Sequence, residues 1–377
     1  MPNTDSSQLT HSEESPELNS NARHLILSVD YEIFGNGTGD VMRHIVEPAE
    51  AMARVCEKFR APLTLFFEVE EYLAFAAFAG PLQRMLGYDP ARAIRDQLIA
   101  LLRRGHDVQL HLHPQWFGAH LEGETWQLHP ENITVDDLFE TQEKTNAYIA
   151  ARKAVIEELL QLAGVSRKVI AYRAGAFAAQ PGRKLLAALV ENGFLFDTSV
   201  VKGLHQDGFD YRHAPCSKGP WRIKDDVAVA DPAGPLWEFP IYSVPGRRFQ
   251  QMTFARLRAK FSKSVPRRQQ KAMINQFALQ KRGPLAALRF LWQPVPIKLD
   301  FHNISPATLL RWVHSAPRPD GQGPDVMVFI GHTKEHIDDR GLEKLLQAVS
   351  RESDIKIISL DTLARTLSAN QVNLAAQ

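Results

Sequence analysis

Short runs of apolar residues alternate with segments of helical spacing along most of this 377-residue chain. Apolar runs bounded by turn residues are typical of strands that are buried on both faces of a parallel sheet. Repeated β–α units of this kind imply an α/β protein whose parallel sheet is either open or closed into a barrel. The runs predict strands at residues 24–30, 62–67, 168–173, 194–197, 236–241, 326–330 and 355–358.

Polar residues of chemical interest stand at the end of almost every predicted strand. Parallel β/α barrels carry their active sites at the carboxyl ends of the strands. The pattern therefore favours a barrel with a functional site over a structural protein, which would have little reason to collect charge there. The residues concerned are Asp30, Glu32, Glu68, His111, His113, Arg173, Asp197, Glu238 and His332.

Residues 108–113 differ from the other runs because apolar and polar side chains alternate there. In a strand this period of two places Gln109, His111 and His113 on one face. Residues two apart on a strand are separated by about 7 Å at the backbone, which allows two imidazoles to converge on one ion. The alternative is an exposed strand that simply carries two histidines. A metal site would also need a carboxylate or a further histidine nearby.

Composition narrows the classes of function that remain. The formal net charge is +1 and 44% of the residues are apolar, so nothing points to nucleic-acid binding or to a membrane protein. Two cysteines, Cys56 and Cys216, provide no disulfide framework and no cysteine cluster for a metal. Residues 1–22 lack both an apolar core and a basic start, so we expect a disordered tail rather than a signal peptide, and a cytoplasmic protein.

Five motifs, taken in order, resemble those of the polysaccharide deacetylase superfamily (NodB homology, carbohydrate esterase family four). The resemblance is closest to the deacetylase-like proteins of bacterial O-antigen and capsule gene clusters. It implies a distorted, often seven-stranded β/α barrel over residues 23–370, followed by a short tail at 371–377. The motifs are residues 28–32 (SVDYE), 105–113 (GHDVQLHLH), 172–175 (YRAG), 196–199 (FDTS) and 330–333 (IGHT).

The resemblance also implies roles for single residues. In that family an aspartate and two histidines hold a zinc or similar ion, and a neighbouring aspartate activates the metal-bound water. By position, Asp30 matches this base, His111 the first histidine ligand, Arg173 the arginine that orients the base, and His332 the catalytic acid.

Two departures from the family pattern leave part of the site open. Tyr31 stands where the family has a second aspartate, and Glu32 follows it. Gln115 stands where the family has its second histidine, and His113 precedes it by two residues. We expect Glu32, His111 and His113 to hold the metal, with the exchange of roles between Asp30 and Glu32 as the alternative.

The expected function is that of a metal-dependent hydrolase that removes an acyl group, foremost N-acetyl, from a sugar in bacterial surface-polysaccharide biosynthesis. The expected cofactor is a divalent metal, foremost Zn²⁺, with Co²⁺ or Mn²⁺ as alternatives. The expected substrate is a lipid-linked or nucleotide-linked saccharide, and no nucleic acid is expected as a partner. The alternatives are a metal-free carbohydrate-binding barrel and another C–N bond hydrolase. Glu68, Asp197 and Glu238 are candidates for supporting the site or binding substrate.

A basic segment interrupts the β–α pattern at residues 245–298, where no acidic residue occurs between Glu238 and Asp300. Apolar residues recur in it at near-helical spacing, which predicts an amphipathic helical insertion. Either this is an ordinary solvated face, or it binds an anionic partner such as a pyrophosphate-linked sugar or the inner membrane surface. The basic residues include Arg247, Arg248, Arg256, Arg258, Lys260, Lys263, Arg267, Arg268, Lys271, Lys281, Arg282 and Arg289.

Overall fold

The computed structural model describes residues 22–180, 182–206, 208–215, 219–251, 284–319 and 324–375. Its strands are β1 Arg23–Tyr31, β2 Thr64–Glu68, β3 Asp107–Leu112, β4 His120–Glu122, β5 Thr125–Gln127, β6 Ala171–Ala174, β7 Phe196–Asp197, β8 His205–Gln206, β9 Phe209–Asp210, β10 Trp221–Ile223, β11 Leu236–Glu238, β12 Ser243–Arg247, β13 Pro294–Lys298, β14 Val326–His332 and β15 Ile355–Ile357. Its helices are α1 Glu47–Lys58, α2 Val69–Ala77, α3 Ala79–Leu86, α4 Pro90–Arg103, α5 Gln142–Ala163, α6 Arg183–Glu191, α7 Pro284–Leu291, α8 Pro306–Ser315, α9 Arg340–Val349 and α10 Leu360–Ala375.

One curled, mostly parallel sheet organises the chain. Its strand order is β10-β11-β7-β6-β3-β2-β1-β14, and β15 also pairs with β1. All pairs from β11 to β14 are parallel, whereas β10 runs antiparallel to β11. The strands and the parallel β/α architecture expected from the sequence are therefore confirmed.

The sheet curls towards a barrel without a continuous ladder to close it in the described part of the chain. Ile241, which follows β11, forms an isolated parallel bridge to Val328 of β14 and another to Val201. A further bridge joins Asp300 to Ile330. Irregular segments thus fill the gap between β11 and β14, and the result is a distorted barrel.

The alternation of side chains along each strand separates two apolar cores. Leu25 and Leu27 of β1 belong to the large core that includes residues of the surrounding helices, whereas Ile26 belongs to a smaller cluster inside the curled sheet. Leu363 of α10 packs in the same inner cluster. Because successive residues of a strand point to opposite faces, the even-numbered residues of β1 that follow Ile26 also face the interior, and Asp30 is among them.

Local signals in the sequence fix the helices that lead into the site-bearing strands. Asp89 caps α4 by accepting a hydrogen bond from the Arg92 amide, and Pro90 occupies the first turn, where its missing N–H costs nothing. Thr141 caps α5 in the same way, and Gly164 ends it in the left-handed conformation that glycine adopts without strain. These signals fix the ends of α4, which precedes β3, and of α5, which precedes β6.

The predicted insertion and tails lie partly outside the described residues. Residues 1–21 and 252–283 are not described, and they include most of the basic segment. At the flanks of that segment β12 and β13 pair as an antiparallel ladder. The last helix, α10, continues to Ala375, past residue 370, where the sequence predicted a tail to begin. Among the described helices, none combines the length and apolar character needed to cross a bilayer.

Candidate active site

Strand register brings the predicted site residues together at the carboxyl ends of the strands. Asp30 lies opposite His332 in the β1–β14 ladder, and His111 lies opposite Arg173 in the β3–β6 ladder. Both pairs face the interior of the curled sheet, and Asp30 and His332 line a cleft of about 480 Å³. The predicted catalytic and metal-binding residues are thus neighbours: Asp30, Glu32, His111, His113, Arg173 and His332.

Glu32, His111 and His113 converge on one point. Oε2 of Glu32 lies 2.7 Å from Nε2 of His113 and 3.7 Å from Nε2 of His111. Nδ1 of His111 lies 2.9 Å from the carbonyl oxygen of Arg173. A carbonyl can only accept, so Nδ1 carries the proton and the lone pair of Nε2 faces the point on which the three side chains converge.

The donor set fits a divalent cation. The Nε2 atoms of His111 and His113 are buried, and within the described residues neither forms a well-directed hydrogen bond, although the Glu32 carboxylate lies beside both. Buried polar atoms are rarely left without a directed hydrogen bond, so two such nitrogens that converge on one carboxylate oxygen are suited to share an ion with it. With the Glu32 oxygen, all three ligand atoms lie within 4.8 Å of one another. Two imidazoles and one carboxylate form a set that zinc accepts in proteins.

The other member of the family's histidine motif lies apart from this pair. The side chain of Gln115 donates a hydrogen bond to the carbonyl of Gly35, at 3.0 Å, and it lines the cleft. The structure therefore brings His113 and not Gln115 to His111.

A strained turn supports the His113 ring. A Cβ atom at Gly175 would lie 2.5 Å from Cγ of His113, so only glycine fits beneath the imidazole. The next two residues, Ala176 and Phe177, both have positive φ angles, 51° and 65°. The hydroxyl of Tyr211 donates to the Phe177 carbonyl at 2.6 Å and holds this conformation. Backbone strain of this kind is concentrated at functional sites.

Asp30 is held by Arg173 on one side and approached by His332 on the other. Oδ1 lies 2.6 Å from Nη1 of Arg173, and Oδ2 lies 3.3 Å from Nε2 of His332. Burial alone would raise the pKa of the Asp30 carboxyl, but the guanidinium charge of Arg173 lowers the pKa below its ordinary value. Asp30 is therefore an ionised carboxylate in a buried site.

Arg173 is fully buried and fixed by several contacts. Its Nη2 donates to Oγ of Ser28 at 2.8 Å and its Nε to the carbonyl of Thr198 at 3.2 Å. The guanidinium also stacks on Phe66, 3.9 Å from the ring centroid. The position of Asp30 is thus set by a cation that cannot move without breaking these contacts.

His332 lies between acidic groups. Its Nδ1 is 3.7 Å from Oε2 of Glu335, and Asp300 is close enough to form a second cluster with both. Burial lowers the pKa of the imidazole, and the charges of Glu335 and Asp30 only partly offset that effect. Sequence reasoning missed Glu335 and Asp300, because neither stands at the end of a predicted strand.

Lys334 is a further residue that sequence reasoning missed. Its Nζ lies 2.6 Å from Oε1 of Glu32, and both side chains are buried. Burial alone would lower the pKa of the ammonium, but the charge of Glu32 raises the pKa above its ordinary value. β14 ends at His332 and Lys334 lies in the short 3-10 turn Thr333–Glu335 that follows, so strand spacing gave no signal for this residue.

The three supporting candidates brace the surroundings of the site and do not line the cleft. Glu68 caps α2, where its Oε1 accepts hydrogen bonds from the amides of Glu70 and Glu71. Asp197 accepts from the amide and hydroxyl of Ser199, and Glu238 accepts from the amide of Val200. These two carboxyls fix the loop whose Thr198 carbonyl receives Arg173.

Comparison with known proteins yields similarity in fold. No protein-family model and no curated protein matches the sequence. Similar solved structures include a provisionally named polysaccharide deacetylase from Mycobacterium smegmatis, at 14% identity and a TM-score of 0.48 over 94% of this chain and 93% of that chain. Another provisionally named polysaccharide deacetylase, from Pseudomonas aeruginosa, has 12% identity and a TM-score of 0.43 over 92% of this chain and 91% of that chain.

A 4-α-glucanotransferase from Thermococcus litoralis is also similar, at 12% identity and a TM-score of 0.46 over 91% of this chain and 40% of that chain. Fold likeness this distant does not assign a chemistry, since one fold can host several. The activity of this chain therefore has to be inferred from its own side chains.

Proposed function

We propose that this protein is a metal-dependent hydrolase that removes an acyl group, foremost N-acetyl, from a sugar. The observation that carries the proposal is the convergence of Glu32, His111 and His113 on one point, where two buried imidazole nitrogens lie beside a carboxylate oxygen without a well-directed hydrogen bond. Beside that point lies an ionised carboxylate, Asp30, fixed by Arg173. A metal site next to a potential general base is the arrangement that acyl hydrolysis requires.

Each residue has a role in this proposal. Glu32, His111 and His113 hold the ion, which when bound lowers the pKa of water towards about 7 and polarises the acyl carbonyl. Asp30 takes a proton from the attacking water, and Arg173 keeps it ionised and oriented. His332 gives a proton to the leaving amine, so it must be protonated when the C–N bond breaks.

The cleft and the motifs suggest the kind of substrate and the identity of the metal. Phe177 lines the cleft with an aromatic ring, which suits the apolar face of a sugar. The motif resemblance favours Zn²⁺, with Co²⁺ or Mn²⁺ as alternatives, and a lipid-linked or nucleotide-linked saccharide of a surface-polysaccharide pathway. Histidine and carboxylate ligands are compatible with all three metals.

The proposal is tested by measuring acetate release from a panel of nucleotide-linked and lipid-linked N-acetyl sugars, with and without added Zn²⁺, Co²⁺ or Mn²⁺. We expect metal-stimulated release by the wild type and none by His111→Asn/His113→Asn. If no sugar or metal gives release, the hydrolase proposal fails.

A metal-free carbohydrate-binding barrel is the second candidate, and one observation favours it. The Lys334 ammonium already neutralises Glu32, as a site without an ion would require. Sugar binding by calorimetry that is unaffected by a chelator, without acetate release, would support this candidate. Release of ammonia or another amine from a substrate without an acyl group would instead indicate a different C–N hydrolase.

We also propose that the basic segment binds an anionic surface or substrate at the cytoplasmic face of the inner membrane. Its excess of Arg and Lys without any Asp or Glu between residues 238 and 300 supports this proposal. Replacing Arg256, Arg258, Arg267 and Arg268 by Gln is expected to weaken binding to anionic vesicles and to flatten its salt dependence. Binding that is unchanged in this variant would make the segment an ordinary solvated surface.

A further inference from the structure

The two carboxylate oxygens of Glu32 have different partners. Oε1 lies 2.6 Å from the ammonium of Lys334, whereas Oε2 faces the histidine pair, 2.7 Å from Nε2 of His113. Lys334 is 8% exposed, and its Nζ is also 3.4 Å from the carbonyl of Ile33. The lysine is therefore built into the site and does not reach it from the surface.

A buried cation beside a site for a divalent cation needs an explanation. The two positive charges repel each other, and the repulsion is strongest where water is excluded. If the site served only to bind a metal tightly, an apolar residue or a neutral donor would serve better than Lys334. The lysine must therefore provide something that offsets the loss of affinity.

We propose that Lys334 is a positioning residue that confines Glu32 to one oxygen at the ion. The inference rests on the proposed metal-dependent function. A carboxylate that binds an ion through both oxygens fills a coordination position that a catalytic site keeps for water or substrate. Lys334 prevents this by holding Oε1, and such outer contacts are known to orient metal ligands. Lys334 thus lowers the affinity for the ion and keeps one coordination position free for water or substrate.

The test replaces Zn²⁺ by Co²⁺, whose visible absorption reports the number of ligands, and compares the wild type with Lys334→Met. Methionine has a similar length and removes the charge. We expect the variant to show weaker visible absorption, because Co²⁺ with more ligands absorbs less strongly than four-coordinate Co²⁺. We also expect tighter binding of Co²⁺, by about tenfold or more, in competition with a chelator.

Two further variants serve as controls. Lys334→Arg keeps a cation at the same place and is expected to retain the wild-type spectrum. Lys298→Met removes another lysine of the same cleft, one that contacts the Phe177 ring, and it is expected to leave the spectrum unchanged. A bound ion stabilises the folded state. All spectra are therefore recorded on the Co²⁺-loaded proteins, so that the variants are compared in the same state.

The outcomes separate this inference from the proposed function. An absorption spectrum that is identical in the wild type and Lys334→Met would overturn the role of Lys334 and leave the metal site intact. A wild type that binds no Co²⁺ at all would overturn the metal site, and the role of Lys334 with it. If Lys334→Met does not fold, a changed spectrum in Lys334→Arg overturns the proposal and an unchanged one supports it.

Discussion

Asp30 Oδ1 lies 2.6 Å from Nη1 of Arg173, and both side chains are buried. Strands β1 and β6 supply the two groups, so their ion pair ties separate parts of the curled sheet together. The pair also orders the carboxylate that we propose as the general base.

The first prediction concerns the division of labour between Asp30 and Glu32. Asp30→Asn is expected to retain the metal and to lose most of the rate, since general-base catalysis contributes about 10²–10⁴-fold. Glu32→Gln is expected to lose metal affinity first, because Glu32 faces both imidazoles. Metal content and kcat are measured for both variants. The reverse pattern would exchange the two roles, and full metal and activity in both would exclude both carboxylates from the site.

The second prediction concerns stability. Arg173→Met is expected to lower the free energy of unfolding by about 3–5 kcal/mol, because it leaves the buried Asp30 carboxylate without its partner. Arg340→Met is the matched control, because the ion pair of Arg340 with Asp338 is exposed. Such a pair contributes about 0–1 kcal/mol. Urea unfolding measures both, and equal effects would show that Arg173 does not stabilise the buried carboxylate.

The outline of this site could be predicted from sequence because period-two spacing is a local property. The spacing placed His111 and His113 on one face, and the apolar runs predicted the strands that carry Asp30 and Arg173. Register between distant strands is not local, however. Asp30 meets His332 only through the β1–β14 ladder.

Packing at short range also escaped prediction. The sequence around Lys334 does not show that its ammonium contacts Glu32, because Lys334 follows β14 and Glu32 follows β1. The same holds for Gly175, whose role depends on the ring of His113 lying against it. The closure of the sheet by isolated bridges at Ile241 likewise depends on segments that have no periodic pattern.

The third prediction concerns Gly175. Gly175→Ala is expected to displace the His113 ring and to weaken metal binding, because the new Cβ would lie 2.5 Å from the imidazole. Gly80→Ala is the control, since Gly80 has only the flexible end of Arg84 nearby, at 3.7 Å. Titration with Zn²⁺ measures the affinity of both variants. If Gly175→Ala binds as tightly as Gly80→Ala, the ring of His113 does not depend on this glycine.

The fourth prediction is a pH dependence of the metal-free protein. Burial raises the pKa of Glu32, but Lys334 and His113 outweigh this and hold the pKa well below its ordinary 4.5. A depressed pKa gives stability that is present above 4.5 and is lost as the pH falls through the lower, folded-state value. The wild type is therefore expected to be more stable than Glu32→Gln at neutral pH, and this difference should shrink only in acid below 4.5. A difference in urea midpoint that does not change with pH would contradict the ion pair.

The most direct test of the central claim is the metal content of the purified protein after incubation with Zn²⁺ and removal of excess ion. The claim is that Glu32, His111 and His113 form one divalent-cation site. It predicts one Zn²⁺ ion per chain in the wild type and a loss of that ion in His111→Asn/His113→Asn, with the folded state checked by circular dichroism. A wild type without Zn²⁺, or a folded double variant with the same Zn²⁺ content, would contradict it.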